Sequence, residues 1–167
     1  VVDNDATPNS ISEAAQTGDP VGITAYAFDG DASNNDVTYS LSDSAEGRFA
    51  IDPDNGTITV LDADLIDFET DQQHTVEVTA TSEDGSSTTR SFVIDITDEN
   101  EFVVGPVRDR DDSENSVSVD AVVGTTVGVI GFAQDGDGTN SDISYSLTMD
   151  GDGAFAIDAD TLSLIHI

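Results

Sequence analysis

The sequence has no cysteine and no lysine, and these absences exclude several classes of protein. Without cysteine, no disulfide bond stabilises the fold, whatever compartment the protein occupies. The basic residues are four arginines against 35 acidic residues, so the formal net charge is −31. A chain this acidic repels phosphate groups, which excludes nucleic acid as a partner.

Long hydrophobic runs are also missing. No apolar segment is long enough to cross a membrane, and no secretory leader begins at Val1. We therefore expect no direct membrane insertion by this segment. Because the first residues already continue a repeated pattern, we interpret the sequence as a fragment of a longer protein.

The apolar residues are few but regularly spaced, and they alternate with polar residues in short segments between Asp, Asn and Gly turns. The predicted strands are 11–15, 21–27, 37–41, 49–52, 57–61, 75–81 and 88–97. About seven short strands in roughly 100 residues indicate an all-β fold, a two-sheet Greek-key sandwich. The predicted inward residues are Ile11, Val21, Ile23, Tyr39, Leu41, Phe49, Ile51, Ile58, Val60, Val76, Val78, Ala80, Phe92, Ile94 and Ile96. Residues 62–69 are expected to contain at most a single helical turn.

The sequence repeats itself at an offset of 106 residues, without a gap from Val1 to Asp54. AFDGD at 27–31 aligns with AQDGD at 133–137, and FAID at 49–52 aligns with FAID at 155–158. Such self-similarity is typical of tandem repeats. We predict a first repeat at 1–101 and the N-terminal part of a second at 102–161, a truncated sandwich whose exposed edge favours aggregation.

Residues 162–167 depart from this pattern. The first copy has a glycine and a strand at this point, whereas the second reads LSLIHI. These six residues match one translation of a widely used transposon-end sequencing adapter. We interpret them as a library artefact and exclude them from the fold prediction. The alternative is a genuine apolar strand.

The acids follow an order that their abundance does not explain. With 35 acids in 167 residues, two acids spaced two apart arise often by chance. Glu13, however, is followed by the pair in AFDGD, then by the pair in DFE at 67–69, and finally by DENE at 98–101. Taken one at a time, these acids are typical of solvated turn residues. We interpret much of the remaining negative charge, beyond the acids named here, as adaptation to salt. Their order favours metal ligation.

These segments resemble a cadherin-type repeat of the bacterial kind. Glu13 falls at the family's first-strand glutamate, and AFDGD and AQDGD are similar to its AxDxD motif. IDFE is similar to its LDRE motif, with Phe68 where arginine is usual. ITDENE resembles the DxNDN linker in the DxNE form of bacterial surface proteins. The resemblance covers the first repeat and the second up to Thr161.

The resemblance implies Ca²⁺ as the cofactor, bound where one repeat follows another, so that the string of repeats becomes stiff. Calcium takes about six to eight oxygen ligands from carboxylates, carbonyls and amides, and without it the carboxylates repel one another. The implied ligands are Glu13, Asp29, Asp31, Asp67, Glu69, Asp98, Glu99 through its carbonyl, Asn100, Glu101, Asp135 and Asp137.

Two departures from the family pattern reduce the ligand set. Val119 stands where the first copy has Glu13, with Asp120 or Glu114 as substitutes. Ser82 stands where the family usually has a ligating aspartate, unless Asp84 compensates. His74 reads as a surface histidine, because no motif places a nucleophile beside it. Asn55 begins a glycosylation pattern that a tight turn explains equally well.

The resemblance implies a calcium-stiffened spacer in an extracellular or bacterial surface adhesin, not an enzyme. The expected partners are neighbouring repeats of the same longer chain and an adhesive target that the sequence does not identify. A metal-independent immunoglobulin-like spacer is one alternative. An accessory module of a secreted polysaccharide-acting enzyme is another, although two acids spaced like Asp67 and Glu69 cannot flank a glycosidic bond.

Overall fold

The computed structural model describes residues 1–31, 33, 35–139 and 141–167. The chain divides into two compact units, Val1–Glu99 and Asn100–Ile167, called unit 1 and unit 2 below. Unit 1 contains eight strands within the described residues: β1 Val2–Asp3, β2 Ser10–Ser12, β3 Pro20–Tyr26, β4 Val37–Asp43, β5 Phe49–Ile51, β6 Thr57–Val60, β7 Gln73–Ser82 and β8 Ser87–Thr97. The predicted all-β fold is confirmed.

The strands of unit 1 form two four-stranded sheets, ordered β1-β3-β6-β5 and β2-β8-β7-β4. The pairs are antiparallel except β2 with β8, which is parallel and aligns Ser12 with Thr97. β7 and β8 form a long hairpin in which His74 pairs with Ile94 and Thr81 with Ser87. Each inner face carries alternate side chains of its strands, as the period of two predicts.

The core of unit 1 lies between these two sheets. Val21, Ile23 and Ala25 of β3 and Val76 and Val78 of β7 are all buried and belong to the same apolar cluster. Burying each of these aliphatic side chains stabilises the fold by roughly 1.5–3 kcal/mol, alanine excepted. The remaining buried apolar residues are Tyr39, Phe49, Ile58, Val60, Ile66, Ala80, Phe92, Ile94 and Ile96.

Most of the predicted inward residues are therefore buried, with differences at the edges of the core. Ile11, Leu41 and Ile51 are half-buried and pack against the cluster. Ala25 and Ile66 are additional members. The interpretation of His74 as a surface residue is wrong: β7 begins at Gln73, two residues before the predicted start at 75, so His74 falls on the inner face and is only 9% exposed.

A short 3-10 helix, Ala63–Leu65, occupies the loop between β6 and β7. Asp62 caps it, because its carboxylate accepts a hydrogen bond from the Asp64 amide at 3.2 Å. This is the single turn expected at 62–69. Among the described residues, none forms a helix of the length and apolar character needed to span a membrane.

The described part of unit 2 contains one four-stranded sheet, made of β9 Arg108–Asp109, β10 Thr126–Phe132, β11 Phe155–Ile157 and β12 Ser163–His166. Its order, β9-β10-β12-β11, repeats the order β1-β3-β6-β5 of unit 1 at the sequence offset of 106. Part of LSLIHI thus forms a strand that pairs with β10 and β11. Its interpretation as an adapter translation stays a prediction.

Candidate functional site

One group of carboxylates lies at the end of unit 1 where β2 and β8 finish. Because β2 and β8 are parallel, the residues that follow them emerge at the same edge of the sheet. Glu13 follows β2 directly and Asp98 follows β8 directly, while Glu69 comes from the loop before β7. One carboxylate oxygen from each residue lies within 4.8 Å of the other two.

Glu13 holds this end of unit 1 together through backbone amides. Its Oε1 accepts a hydrogen bond from the Glu99 amide at 2.7 Å, and its Oε2 accepts one from the Phe68 amide at 2.7 Å. One carboxylate thus fixes both the loop that carries Glu69 and the segment that carries Asp98. Hydrogen bonds to an ionised carboxylate are stronger than neutral ones.

Two other predicted ligands of unit 1 lie outside that group and interact locally. Asp67 accepts hydrogen bonds from the Thr70 amide at 3.0 Å and the Thr70 hydroxyl at 2.8 Å, which closes a turn. The side chain of Glu99 accepts a hydrogen bond from the Ser12 hydroxyl at 3.0 Å. Asp67 thus stabilises the loop before β7, and the sequence order alone did not separate this role from ligation.

In unit 2, Asp137 fixes the segment that begins at Asn100. Its carboxylate is buried and accepts hydrogen bonds from the Asn100 side-chain amide at 2.8 Å and the Glu101 backbone amide at 3.0 Å. The Phe102 amide donates a third at 3.1 Å, a partner that sequence reasoning missed. Asp135 is half-buried beside it, and its Oδ1 is buried without a hydrogen-bond partner.

A second group in unit 1 lies at the opposite end of β8, beside the β7–β8 hairpin loop. Oxygens of Asp29, Asp31 and Asp84 lie within 4.8 Å of one another. Asp29 Oδ1 accepts a hydrogen bond from the Asp31 amide at 3.0 Å, whereas Asp29 Oδ2 is buried without a hydrogen-bond partner. Asp29 and Asp135 occupy equivalent positions of the two copies, and each has one buried carboxylate oxygen without a hydrogen-bond partner.

The hairpin loop positions Asp84 within this group. The Ser86 backbone amide donates to Asp84 Oδ1 at 2.7 Å. Hydrogen bonds from the Ser86 backbone and side chain, followed by one from the Ser82 side chain, hold the pKa of Asp84 below its usual value. Asp84 is therefore ionised at neutral pH and held by its neighbours.

The aspartates at the start of each copy have a structural role. Asp3 Oδ1 accepts hydrogen bonds from the Thr24 amide at 3.1 Å and the Asp5 amide at 3.0 Å. Asp109 repeats this with the Ile130 amide at 3.1 Å and the Asp111 amide at 3.0 Å. These bonds fix the first strand of each copy to the next one and lower the pKa of Asp109.

The donor chemistry of these groups fits a hard divalent cation. They contain carboxylate and amide oxygens and no sulfur or imidazole, which is the ligand set that calcium prefers. Two oxygens bound to one calcium ion lie at most about 5 Å apart, because each bond is about 2.3–2.6 Å long. A buried carboxylate oxygen without a donor is costly unless a cation compensates it, as at Asp29 and Asp135.

The two-sheet sandwich with carboxylate groups at both ends of unit 1, followed by a second copy, defines a class of tandem β-sandwich modules with acidic ends. The chain belongs to the cadherin family, because the model of the cadherin domain matches residues 7–97. The resemblance to a cadherin-type repeat is thereby confirmed, whereas its bacterial kind stays a prediction. Cadherin domains are repeats of extracellular adhesion proteins and generally bind calcium.

Individual relatives and solved structures agree with this assignment. The chain is 33% identical over 153 residues to the Protocadherin-like wing polarity protein stan of Drosophila melanogaster, which covers 88% of this chain and 4% of the relative. It is 34% identical over 152 residues to the Cadherin EGF LAG seven-pass G-type receptor 1 of Mus musculus, covering 90% of the chain and 5% of the relative. The chain therefore spans only a small part of these relatives.

Among solved structures, mouse Cadherin-23 EC22-24 matches with a TM-score of 0.73 and 27% identity, covering 95% of this chain and 51% of that one. Drosophila N-cadherin EC1-4 matches with a TM-score of 0.72 and 25% identity, covering 96% and 38%. The cadherin fold is thus supported over nearly the whole chain.

Proposed function

We propose that this chain is a calcium-binding spacer of an extracellular adhesin. The observation that carries the proposal is the convergence of Glu13, Glu69 and Asp98, whose oxygens lie within 4.8 Å of one another at the end of unit 1. The chain has four basic residues against 35 acidic ones, and the ion pair described is Arg48 with Glu46, away from this group. A cation from solution therefore supplies the missing positive charge.

The residues proposed to hold the ion in unit 1 are Glu13, Glu69 and Asp98, and calcium would supply the positive charge that these three carboxylates lack. Asp135 and Asp137 of unit 2 remain proposed ligands through their carboxylate oxygens. Asp67, Glu99, Asn100 and Glu101 remain proposed contributors through any oxygen that their hydrogen bonds leave available.

The chain prepares these donors before any ion binds. Glu13 fixes the loop of Glu69 and the segment of Asp98 through two amide hydrogen bonds, and Asp137 fixes the segment from Asn100 to Phe102 through three donors. Within residues 98–101, the Glu99 amide therefore bonds to the Glu13 carboxylate, and Asn100 and Glu101 bond to the Asp137 carboxylate. Binding restrains this segment and stiffens the chain there.

The biological setting is proposed from the sequence pattern. The ITDENE linker has the form common in bacterial surface proteins, which favours a bacterial adhesin, whereas the relatives compared above are animal proteins. We propose that the segment lies outside the cell and extends a distal binding domain. Its partners would be neighbouring repeats, including identical repeats in homophilic contacts, and an adhesive target that is not identified.

A calcium titration of the full chain tests the proposal. Thermal unfolding is followed in millimolar calcium and in excess chelator, and we expect a higher Tm with calcium. Saturation a hundredfold above the dissociation constant contributes about 2.7 kcal/mol of stability. An identical Tm under the two conditions would contradict calcium binding.

Matched variants locate the site. Asp98→Asn keeps the shape of the side chain and removes a charge from the group of Glu13, Glu69 and Asp98, so we expect it to reduce the calcium-induced shift in Tm. Asp54→Asn removes the same charge from an exposed turn outside both carboxylate groups and should leave the shift unchanged. Equal effects of the two variants would indicate non-specific charge screening.

A further inference from the structure

The carboxylate group of Asp29, Asp31 and Asp84 contains an aspartate that lies two residues beyond the position expected from the family pattern. The expected position is Ser82, the last residue of β7, which is 8% exposed. Asp84 lies in the hairpin loop between β7 and β8 and brings an oxygen within 4.8 Å of both Asp29 and Asp31. The group therefore has three carboxylates, although the position where the family usually has a ligating aspartate holds Ser82.

The loop geometry explains how Asp84 reaches this group. The Ser82 amide donates to the Ser86 carbonyl at 2.8 Å, and the Gly85 amide donates to the Ser82 carbonyl at 2.9 Å, which closes the loop tightly. Gly85 has a φ of 92°, a conformation that favours glycine. The Ser86 amide then holds the Asp84 carboxylate at 2.7 Å.

Asp29 offers an oxygen that no protein donor satisfies within the described residues. Its Oδ2 is buried and accepts no hydrogen bond, and one carboxylate oxygen of Asp29 lies within 4.8 Å of oxygens of Asp31 and Asp84. Beside it lies a pocket of about 200 Å³ bordered by Asp29, Ser82 and Ser86. A buried anionic oxygen that meets further anions is stable when a cation neutralises them.

We propose that Asp84 is a calcium ligand at this end of unit 1 and replaces the carboxylate that Ser82 lacks, while the Ser82 hydroxyl orients Asp84. The inference rests on the proposed calcium-binding function, but it concerns a different end of unit 1 from Glu13, Glu69 and Asp98. With Asp84, this end offers three carboxylates to the cation. Without it, two remain.

The test follows a Ca²⁺ titration of the full chain by the backbone amide NMR shifts of Gly30 and Gly85, next to Asp29 and Asp84. Asp84→Asn retains an oxygen that accepts the Ser86 hydrogen bond, so the loop is expected to keep its fold. Because calcium affinity depends on the number of charged ligands, we expect an apparent dissociation constant about tenfold higher at these amides. Glu83→Gln, one residue away and exposed, removes the same charge and should change nothing.

The other variants separate this inference from the general function. Asp98→Asn should leave the Gly30 and Gly85 titration unchanged, and Ser82→Asp added to Asp84→Asn should restore most of the lost affinity. A wild-type titration at Gly30 that Asp84→Asn does not weaken would overturn the role of Asp84 while leaving calcium binding intact. No calcium response anywhere in the wild-type chain would overturn both proposals.

Discussion

Unit 1 and unit 2 carry the same repeat but differ in how their apolar residues are covered. Ile58 of β6 is fully buried, whereas its counterpart Leu164 of β12 is half-buried. In unit 1 the sheet β1-β3-β6-β5 packs against the sheet that contains β7 and β8. The given sequence of unit 2 contains no counterpart of β7 or β8, and an apolar cleft of about 320 Å³ lies beside Leu164.

This difference teaches that a strand depends on its partner as much as on its own sequence. YSL occurs in both copies, at 39–41 and at 145–147, yet it lies in a strand only in unit 1. There β4 pairs with β7 from Val37 with Ser82 to Leu41 with Val78, and after a register shift Asp43 pairs with Glu77. Residues 145–147, by contrast, form no strand among the described residues, none of which pairs with them as β7 pairs with β4.

The largest expected effect comes from deleting equivalent side chains in the two units. Ile58→Ala creates a cavity in a closed core and should lower the free energy of unfolding of unit 1 by about 3 kcal/mol. Leu164→Ala removes a side chain that borders an open cleft, so the loss should be about 1 kcal/mol or less. Amide hydrogen exchange of the full chain, read separately for the two units, measures both values.

Equal losses for the two alanine variants would show that unit 2 has a core as closed as that of unit 1. A suitable control is Val93→Ala in β8, since Val93 is 48% exposed on the outer face. It should alter the exchange of unit 1 only slightly.

The turn before β12 offers the next contrast. Gly56 has a φ of 76° and its counterpart Leu162 a φ of 57°, in the left-handed region that costs a side-chain-bearing residue about 1–2 kcal/mol. The carbonyls of both residues accept equivalent hydrogen bonds, from Ala25 at 2.8 Å and Gly131 at 3.0 Å. Leu162→Gly should therefore stabilise unit 2 by about 1 kcal/mol, measured by hydrogen exchange.

The reverse change provides the control. Gly56→Leu should destabilise unit 1, because a Cβ at this position would also collide with the Ala25 carbonyl. A Leu162→Gly variant that is less stable than the wild type would show that the leucine contributes more by packing than it costs in strain. A Leu162→Gly variant that is more stable than the wild type would support the prediction that residues 162–167 do not belong to the repeat.

The fold of unit 1 was predictable because local pattern and tertiary packing agree there. Alternation in TITV and SFVIDIT places Ile58 and Ile94 inward, and both are fully buried. Ile66 was not predictable, because it follows a 3-10 helix and belongs to no periodic segment. The position of His74 depended on where β7 begins, a boundary that pairing with β8 determines.

Three of the predicted ligands lie together in the candidate site, but the hydrogen bonds of the predicted ligands were not predictable. Motif order pointed to Glu13, Glu69 and Asp98 together, and parallel pairing of β2 and β8 explains why they meet. The motif order did not indicate that Asp67 accepts a hydrogen bond from Thr70, because an aspartate in a turn and an aspartate that binds a metal look the same in the sequence. The sequence offered Asp84 as a substitute for Ser82, and the structure is what places it within 4.8 Å of Asp29 and Asp31.

Each unit contains the same tyrosine hydrogen bond, so removing it should destabilise the two units equally. The Tyr39 hydroxyl accepts a hydrogen bond from the Ala27 amide at 3.1 Å, and the Tyr145 hydroxyl accepts one from the Ala133 amide at 2.8 Å. Phenylalanine at either position leaves an amide without its acceptor, which costs about 1 kcal/mol. Hydrogen exchange of each unit should reveal similar losses, and Tyr26→Phe on an exposed side chain is the control.

The smallest effect concerns His74, whose environment depends on the second sheet of unit 1. Burial lowers the pKa of His74 below its usual value near 6.5, and the nearby Arg48 charge lowers it further, while Asp71 and Glu46 oppose the shift. As the pH falls below about 6.5, the unfolded chain therefore binds a proton before the folded chain does, and stability is lost. His74→Leu removes this term, so its Tm should fall less than that of the wild type between pH 7.5 and pH 5.5. Both proteins are measured in chelator, so that the carboxylates contribute equally and calcium does not compete with protons. Parallel pH curves for the two proteins would show that His74 is as accessible to protons in the folded state as in the unfolded one.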